Sequence, residues 1–235
     1  MGLCLCVGFK ADLKQNDADG YNDYCEIFEN VNQALRSAGL PEHNEPDDVA
    51  RDSFVSMDMY GYSGLHYLRR VAAHLAYTGK LPTPGNDNAS DDPLLHRYCK
   101  ESCNCEKTSG SFLAFFRKPV PRPDFAFNHL VHHSDCEGFY LPTDFESVIF
   151  PDPALKVPGE MIGSSVRLLS ECERLSKALH IPPDADPEDD DLYFLLDTQG
   201  EQQGWRSFGV ESFTCVRLMH ACQMSIRSGA ALVFA

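Results

Sequence analysis

Residues 3–9, LCLCVGF, form an apolar run bounded by Gly2 and the polar stretch from Lys10. The run is too short for a helix. It predicts a strand buried on both faces, with Cys4 and Cys6 on one side and Leu3, Leu5 and Val7 on the other. Over 21–38 the rhythm changes. Tyr24, Phe28, Val31 and Leu35 recur every three or four positions, which predicts a helix ended by Gly39. PEHNEPDD, 41–48, reads as a polar loop and Phe54–Met57 as a short strand. Leu65, Leu68, Ala72 and Leu75 then mark the buried stripe of a second helix over 63–78, closed by Gly79.

From Lys80 to Gly110, Pro, Gly, Asn and Asp interrupt the periodicity. A long irregular segment is expected there, with a helical turn near Leu94–Cys99. SFLAFF (111–116), AFNHLVHH (126–133), GFYLP (138–142) and SVIF (147–150) read as strands, and SDCEG as a hairpin turn between the middle two. GSS (163–165) offers hydroxyl caps to a third helix. Leu168, Leu169, Cys172, Leu175 and Leu179 form its apolar face, and Pro182 and Pro183 end it. An acidic loop is expected at 182–204. A fourth helix over 209–228 carries Cys215, Leu218, Met219, Cys222 and Ile226, and ALVFA reads as a final strand. Strands and helices are interspersed without βα alternation. The expected fold is therefore a single α+β domain, a mixed or antiparallel sheet flanked by about four helices, with an irregular insertion near 80–110.

The charge balance narrows the function classes. The 35 acidic residues outnumber the 20 Lys and Arg, a formal net charge of −15. Such a surface repels nucleic acid and anionic membranes, and it attracts basic proteins. No apolar run approaches the roughly 20 residues of a membrane span, and the N-terminal run is too short for an export signal. A cytoplasmic location is expected, where the ten cysteines would be mostly reduced. From Ala178 to Trp205 there are eight acids and no Lys or Arg. Asp184, Asp186, Asp189, Asp190 and Asp191, followed by the lone Trp205, are the candidate partner-binding residues.

Cysteines divide into two groups. Cys172, Cys215 and Cys222 fall on apolar helix stripes and read as small core residues. Cys99, Cys103, Cys105 and Cys136 lie in polar surroundings and are candidate zinc ligands, with His96, His132 or His133 as alternative fourth ligands. Their C-x3-C-x-C spacing is not that of the usual zinc knuckle. QNDADGYNDYCE, 15–26, partly follows a calcium loop, but Gln15 stands where Asp is needed. No cofactor is required by these patterns.

Reactive groups concentrate in HHSDCEGFYLPTDF, 132–145. His133, Asp135, Cys136 and Glu137, joined by His66 and His43 if the fold allows, would suit a small hydrolase-type enzyme. The turn chemistry of Ser-Asp and Gly explains the same residues without catalysis. GLPEHNEP, SGLHYLRR, HSDCEGFYLPTDF and GSSVRLLSECERL, in this order across most of residues 1–180, resemble a family of uncharacterised bacterial proteins. In size and acidity the chain is similar to immunity proteins of bacterial toxin systems. That likeness implies an interaction protein that masks a basic partner. The Cys99, Cys103 and Cys105 cluster, outside the resembling motifs, leaves a zinc-stabilised binding module as a further alternative.

Overall fold

The first and last strands of the chain lie side by side. In the computed structural model, β1 (Cys4–Val7) pairs antiparallel with β5 (Leu232–Phe234) on one side and with β2 (Val55–Asp58) on the other. β3 (Gly138–Leu141) joins the far side of β5 antiparallel, and β4 (Ile162–Ser164) adds to β3 in parallel. The sheet is mixed, in the order β2-β1-β5-β3-β4. The structure describes residues 3–61, 63–85, 88–103, 125–197 and 202–234, and the backbone of 104–108. Pairing of the two chain ends draws both halves of the sequence into one α+β domain.

Alternation in the strands divides the core into two layers. Leu5, Val7, Tyr140, Leu232 and Phe234 face one cluster, and Cys6, Phe139, Leu141 and Val233 face the other. The second cluster is roofed by α2 (Ala18–Ser37), whose Tyr24, Phe28 and Val31 meet Phe139 and Val233. Asp17 caps this helix, its carboxylate accepting the Gly20 amide at 3.0 Å. The first cluster is covered by α3 (Ser63–Thr78), α6 (Ser165–Leu179) and α8 (Gly209–Ser228). Ser164 caps α6 by accepting the Arg167 amide at 3.3 Å. α8 packs against α3, α6 and three of the strands. It is therefore buried nearly all round, with only its C-terminal turns showing, and Ile226 is exposed.

Several expectations need correction. The segment 80–110 is not irregular throughout: α4 (Pro93–Thr108) occupies its second half, burying Leu95, Tyr98 and Ser102 at i, i+3 and i+7. AFNHLVHH is not a strand, and among the described residues β3 pairs with β4 and β5 rather than with it. Its centre forms α5 (Asn128–Val131), because Glu171 receives the His129 and Leu130 amides at 3.0 and 2.8 Å and Tyr98 receives the Phe127 amide. The acidic stretch 182–204 is not one loop. It contains α7 (Asp190–Asp197), which buries Leu192 and Leu195 against α8. An eight-residue helix, α1 (Phe9–Asn16), precedes the supposed calcium loop. There are thus eight α-helices among the described residues, not about four. SVIF contributes only a single bridge, between Ile149 and Ile162. SFLAFF lies outside the described residues.

Candidate functional site

His66 and Asp135 do meet. The His66 Nε2 lies 3.0 Å from an Asp135 carboxylate oxygen, and Arg69 bonds the other oxygen. Burial alone would raise the Asp135 pKa, but the hydrogen bond from His66 and the Arg69 guanidinium hold it at about 2. Arg69 also donates from Nε to the Leu130 carbonyl at 2.9 Å and from Nη2 to the His133 carbonyl at 2.6 Å. One guanidinium on α3 thereby fixes the whole 130–135 segment. The His133 ring is turned inward, stacked on Tyr140 at 4.1 Å. Its Nδ1 donates to the Ser134 carbonyl at 2.8 Å, while Nε2 is buried without a hydrogen-bond partner among the described residues. Burial pushes this imidazole down to about 3. Gly138, at φ +125°, presses against that ring where a side chain would crowd it. Cys136 and Glu137 are exposed.

His43 lies elsewhere. It packs on Phe28 in the α2 layer, across the sheet from the layer that holds the His133 ring. Its Nε2 is 2.6 Å from Glu45, which also receives the Ala231 amide at 2.8 Å. PEHNEP is therefore a loop that ties α2 to β5 by buried polar contacts. Of the six candidate catalytic residues, His66, His133, Asp135, Cys136 and Glu137 share one region and His43 is separate.

Cys99 and Cys103 lie one turn apart on α4, half-buried. Cys103 Sγ is 3.8 Å from His132 Nδ1, and His132 Nε2 donates to Ser102 at 2.8 Å. Cys136 Sγ instead lies 3.6 Å from the Ser134 hydroxyl. Cys105 falls on the backbone of α4, and its side chain lies outside the described residues. Among the described residues no group of three or more His, Cys, Asp or Glu is arranged to hold a metal ion.

The charge distribution is more informative. Three arginines (Arg69, Arg70, Arg217) and three glutamates (Glu45, Glu171, Glu211) are buried, so the net charge resides on the surface. Arg70 pairs with Glu211 at 3.2 Å inside the core. Two acidic surfaces result, on opposite sides of the sheet. On α2, Asp19, Asp23, Glu26 and Glu29 are exposed along the face opposite Tyr24 and Phe28 and make no ion pair among the described residues. On the other side, Asp184, Asp186, Glu188 and Asp189–Asp191, with Asp197, are all exposed and equally unpaired among the described residues.

The second surface differs in carrying aromatic rings. At helical spacing, Asp190, Tyr193, Phe194 and Asp197 share the outer face of α7, opposite Leu192 and Leu195. Tyr193 is 42% and Phe194 59% exposed. Tyr193 is held rigidly, with the Arg217 guanidinium 4.5 Å over its ring and bonded to its hydroxyl. Beside α7 lies a pocket of about 190 Å³ lined by Asp184, Asp186, Asp189, Asp191 and Trp205. Of the six residues expected to bind a partner, Asp184, Asp186, Asp189, Asp191 and Trp205 line this concavity, and Asp190 lies on the outer face of α7. Tyr193 and Phe194 were not anticipated. DLYFLLD does carry a signal, because Leu192, Leu195 and Leu196 at i, i+3 and i+4 bury one face and leave the two aromatic rings outside.

No helix among the described residues is long and apolar enough to cross a membrane. No curated protein and no solved structure matches the chain. A family model does match, over residues 1–234, and the chain belongs to the family that model describes as "Putative DNA-mimic protein".

Proposed function

We propose that this protein binds and masks a basic DNA-binding protein by presenting carboxylates where that partner expects phosphates. One observation carries the reading: the 184–197 surface carries seven exposed carboxylates that make no ion pair among the described residues, together with two exposed aromatic rings. Carboxylates alone would steer a basic partner but hold it weakly, since exposed charge pairs contribute only about 0–1 kcal/mol each. Rigid aromatic anchors at the centre of a polar rim supply the desolvated contact that gives affinity. The family description supports the same reading.

The α2 row has a different part. Asp19 to Glu29 spans roughly 15 Å at 1.5 Å per residue. Four charges over that length come to one per ~5 Å, comparable with the ~3.4 Å per phosphate of one DNA strand. That face carries no exposed large apolar side chain. It extends the negative field and raises the encounter rate without anchoring.

Elution from duplex DNA tests the proposal. DNA-binding proteins of the host are loaded on immobilised duplex DNA and the purified chain is passed over them. Release of a specific basic protein is expected, and the Asp189→Lys, Asp190→Lys, Asp191→Lys variant should release less, with a shallower salt dependence. If the wild-type chain releases nothing, or the triple variant releases as much, the proposal fails.

A further inference from the structure

The pocket beside α7 combines features that an acidic patch alone lacks. Its walls are Trp205 and the Asp184, Asp186, Asp189 and Asp191 carboxylates, and its apolar side includes Leu192. At about 190 Å³ it is smaller than the ~300–1,000 Å³ of small-molecule sites, so it suits a single side chain. Two of its carboxylates are held in place. Asp186 accepts the Glu188 amide and Asp189 the Asp191 amide, both at 2.9 Å. A guanidinium already lies there: the chain's own Arg206 sits 4.7 Å over the Trp205 ring and lines the same pocket. Arg206 is exposed and makes no ion pair among the described residues, so ring contact is its main restraint.

We propose that this pocket is a socket for an arginine side chain of the partner, covered in the free protein by Arg206. The inference rests on the partner being a DNA-binding protein, because such a protein presents arginines placed to grip phosphate. A planar guanidinium stacks on the indole face and forks toward two carboxylates at once. A lysine ammonium satisfies the charge but neither the stacking nor the fork. On binding, the partner's arginine takes the ring face and Arg206 swings to solvent. The aromatic rings of α7, whose Asp191 and Leu192 also line the pocket, then lie beside the entering segment.

Trp205 is the only tryptophan, so its emission reports directly on the socket. The full chain is titrated with octa-arginine and, separately, octa-lysine. Octa-arginine should change the emission saturably, at least ~3-fold more tightly than octa-lysine. Arg206→Ala should tighten octa-arginine by ~3-fold or more by removing the competitor. Asp186→Asn with Asp189→Asn and Asp191→Asn should weaken it ~10-fold or more. A flat response in both wild type and Arg206→Ala, an equal response to octa-lysine, or an unchanged response in the triple variant would each overturn the socket. If DNA-bound partners are still released while emission stays flat, the socket falls and the masking function stands. If emission responds but nothing is released from DNA, the masking function falls and the socket stands.

Discussion

At the scale of single residues, the buried histidines set how stability follows pH. Burial pushes His129 and His132 down to about 4 and His133 to about 3. His129 shows the neutral form directly, since its Nδ1 accepts the Ser164 amide at 3.0 Å while Nε2 donates to the Glu146 carbonyl. Each unfolded histidine takes up a proton near pH 6.5 that the folded chain refuses. Their contribution is therefore complete above pH 6.5 and is lost as pH falls toward 4. Glu171 works the other way, because burial raises its carboxyl to about 8 against the two amide bonds it accepts. Its contribution is present below pH 4.5 and lost as pH rises through 8. Between pH 4.5 and 6.5 three histidines oppose one glutamate. Stability should climb with pH there at roughly 2–3 kcal/mol per unit at most and peak near pH 6.5. Urea midpoints measured across pH 4.5–8 check this. His133→Phe keeps the stack on Tyr140 and removes one titration, so the slope should shrink by ~1.4 kcal/mol per unit; an unchanged slope defeats the assignment. Alternation along AFNHLVHH puts a histidine on each face, which already places at least one near the core. It could not show that His133 turns its free nitrogen inward, because that depends on Tyr140 and Phe234 arriving from other strands.

At the scale of elements, periodicity was readable wherever one segment packs by its own apolar stripe. β1, α2, α3, α6 and β5 follow this rule, and Ser164 and the glycines after α2 and α3 are legible as caps, whereas Asp17, read within the calcium-like loop, caps an α2 that begins at Ala18 rather than at 21. α4 and α7 were obscured because polar residues crowd the rest of each helix, His96, Arg97 and Lys100 on α4 and Asp190, Asp191 and Asp197 on α7, although Leu95–Tyr98–Ser102 and Leu192–Leu195 carry helical spacing. α5 was hidden for another reason. Its alternation suits a strand, and only tertiary hydrogen bonds from Glu171 and Tyr98 select the helical turn. The candidate site was legible to the same extent: the acids were countable, but their union with Trp205 and the exposure of Tyr193 and Phe194 required α7. Arg69 shows how far such a short element depends on its surroundings. Arg69→Ala leaves the Leu130 and His133 carbonyls and the Asp135 carboxylate without their donor. Denaturation should show a loss of ~3–5 kcal/mol, with little rescue by Arg69→Lys, which cannot fork to three acceptors. A loss below ~1 kcal/mol would mean that the segment is held by packing alone.

At the scale of the molecule, the balance between interior and surface charge makes salt a stabiliser. The interior arginines are paired with a carboxylate or hydrogen-bonded to carbonyls, as with Arg70 on Glu211 and Arg217 on the Asp58 and Pro187 carbonyls. The net charge of −15 is carried outside, where the α2 row and the 184–197 surface make no ion pair among the described residues. A protein that displays this much like charge is destabilised by its own field. Along α2, Asp23, Glu26 and Glu29 are like-charged neighbours at i, i+3, each pair unfavourable by ~0.2–0.5 kcal/mol. Screening relieves both effects, since the Debye length shrinks from ~30 Å at 0.01 M salt to ~3 Å at 1 M. The melting temperature should therefore rise as NaCl increases from 0.01 to 0.5 M, on the order of several degrees. Neutralising the row by Asp23→Asn, Glu26→Gln and Glu29→Gln should raise the low-salt melting temperature and shrink the salt increment. A melting temperature that falls with added salt would show instead that surface ion pairs such as Arg36–Glu42 and Arg227–Asp52 dominate. The row would then not be a cost that the fold carries for the sake of its field.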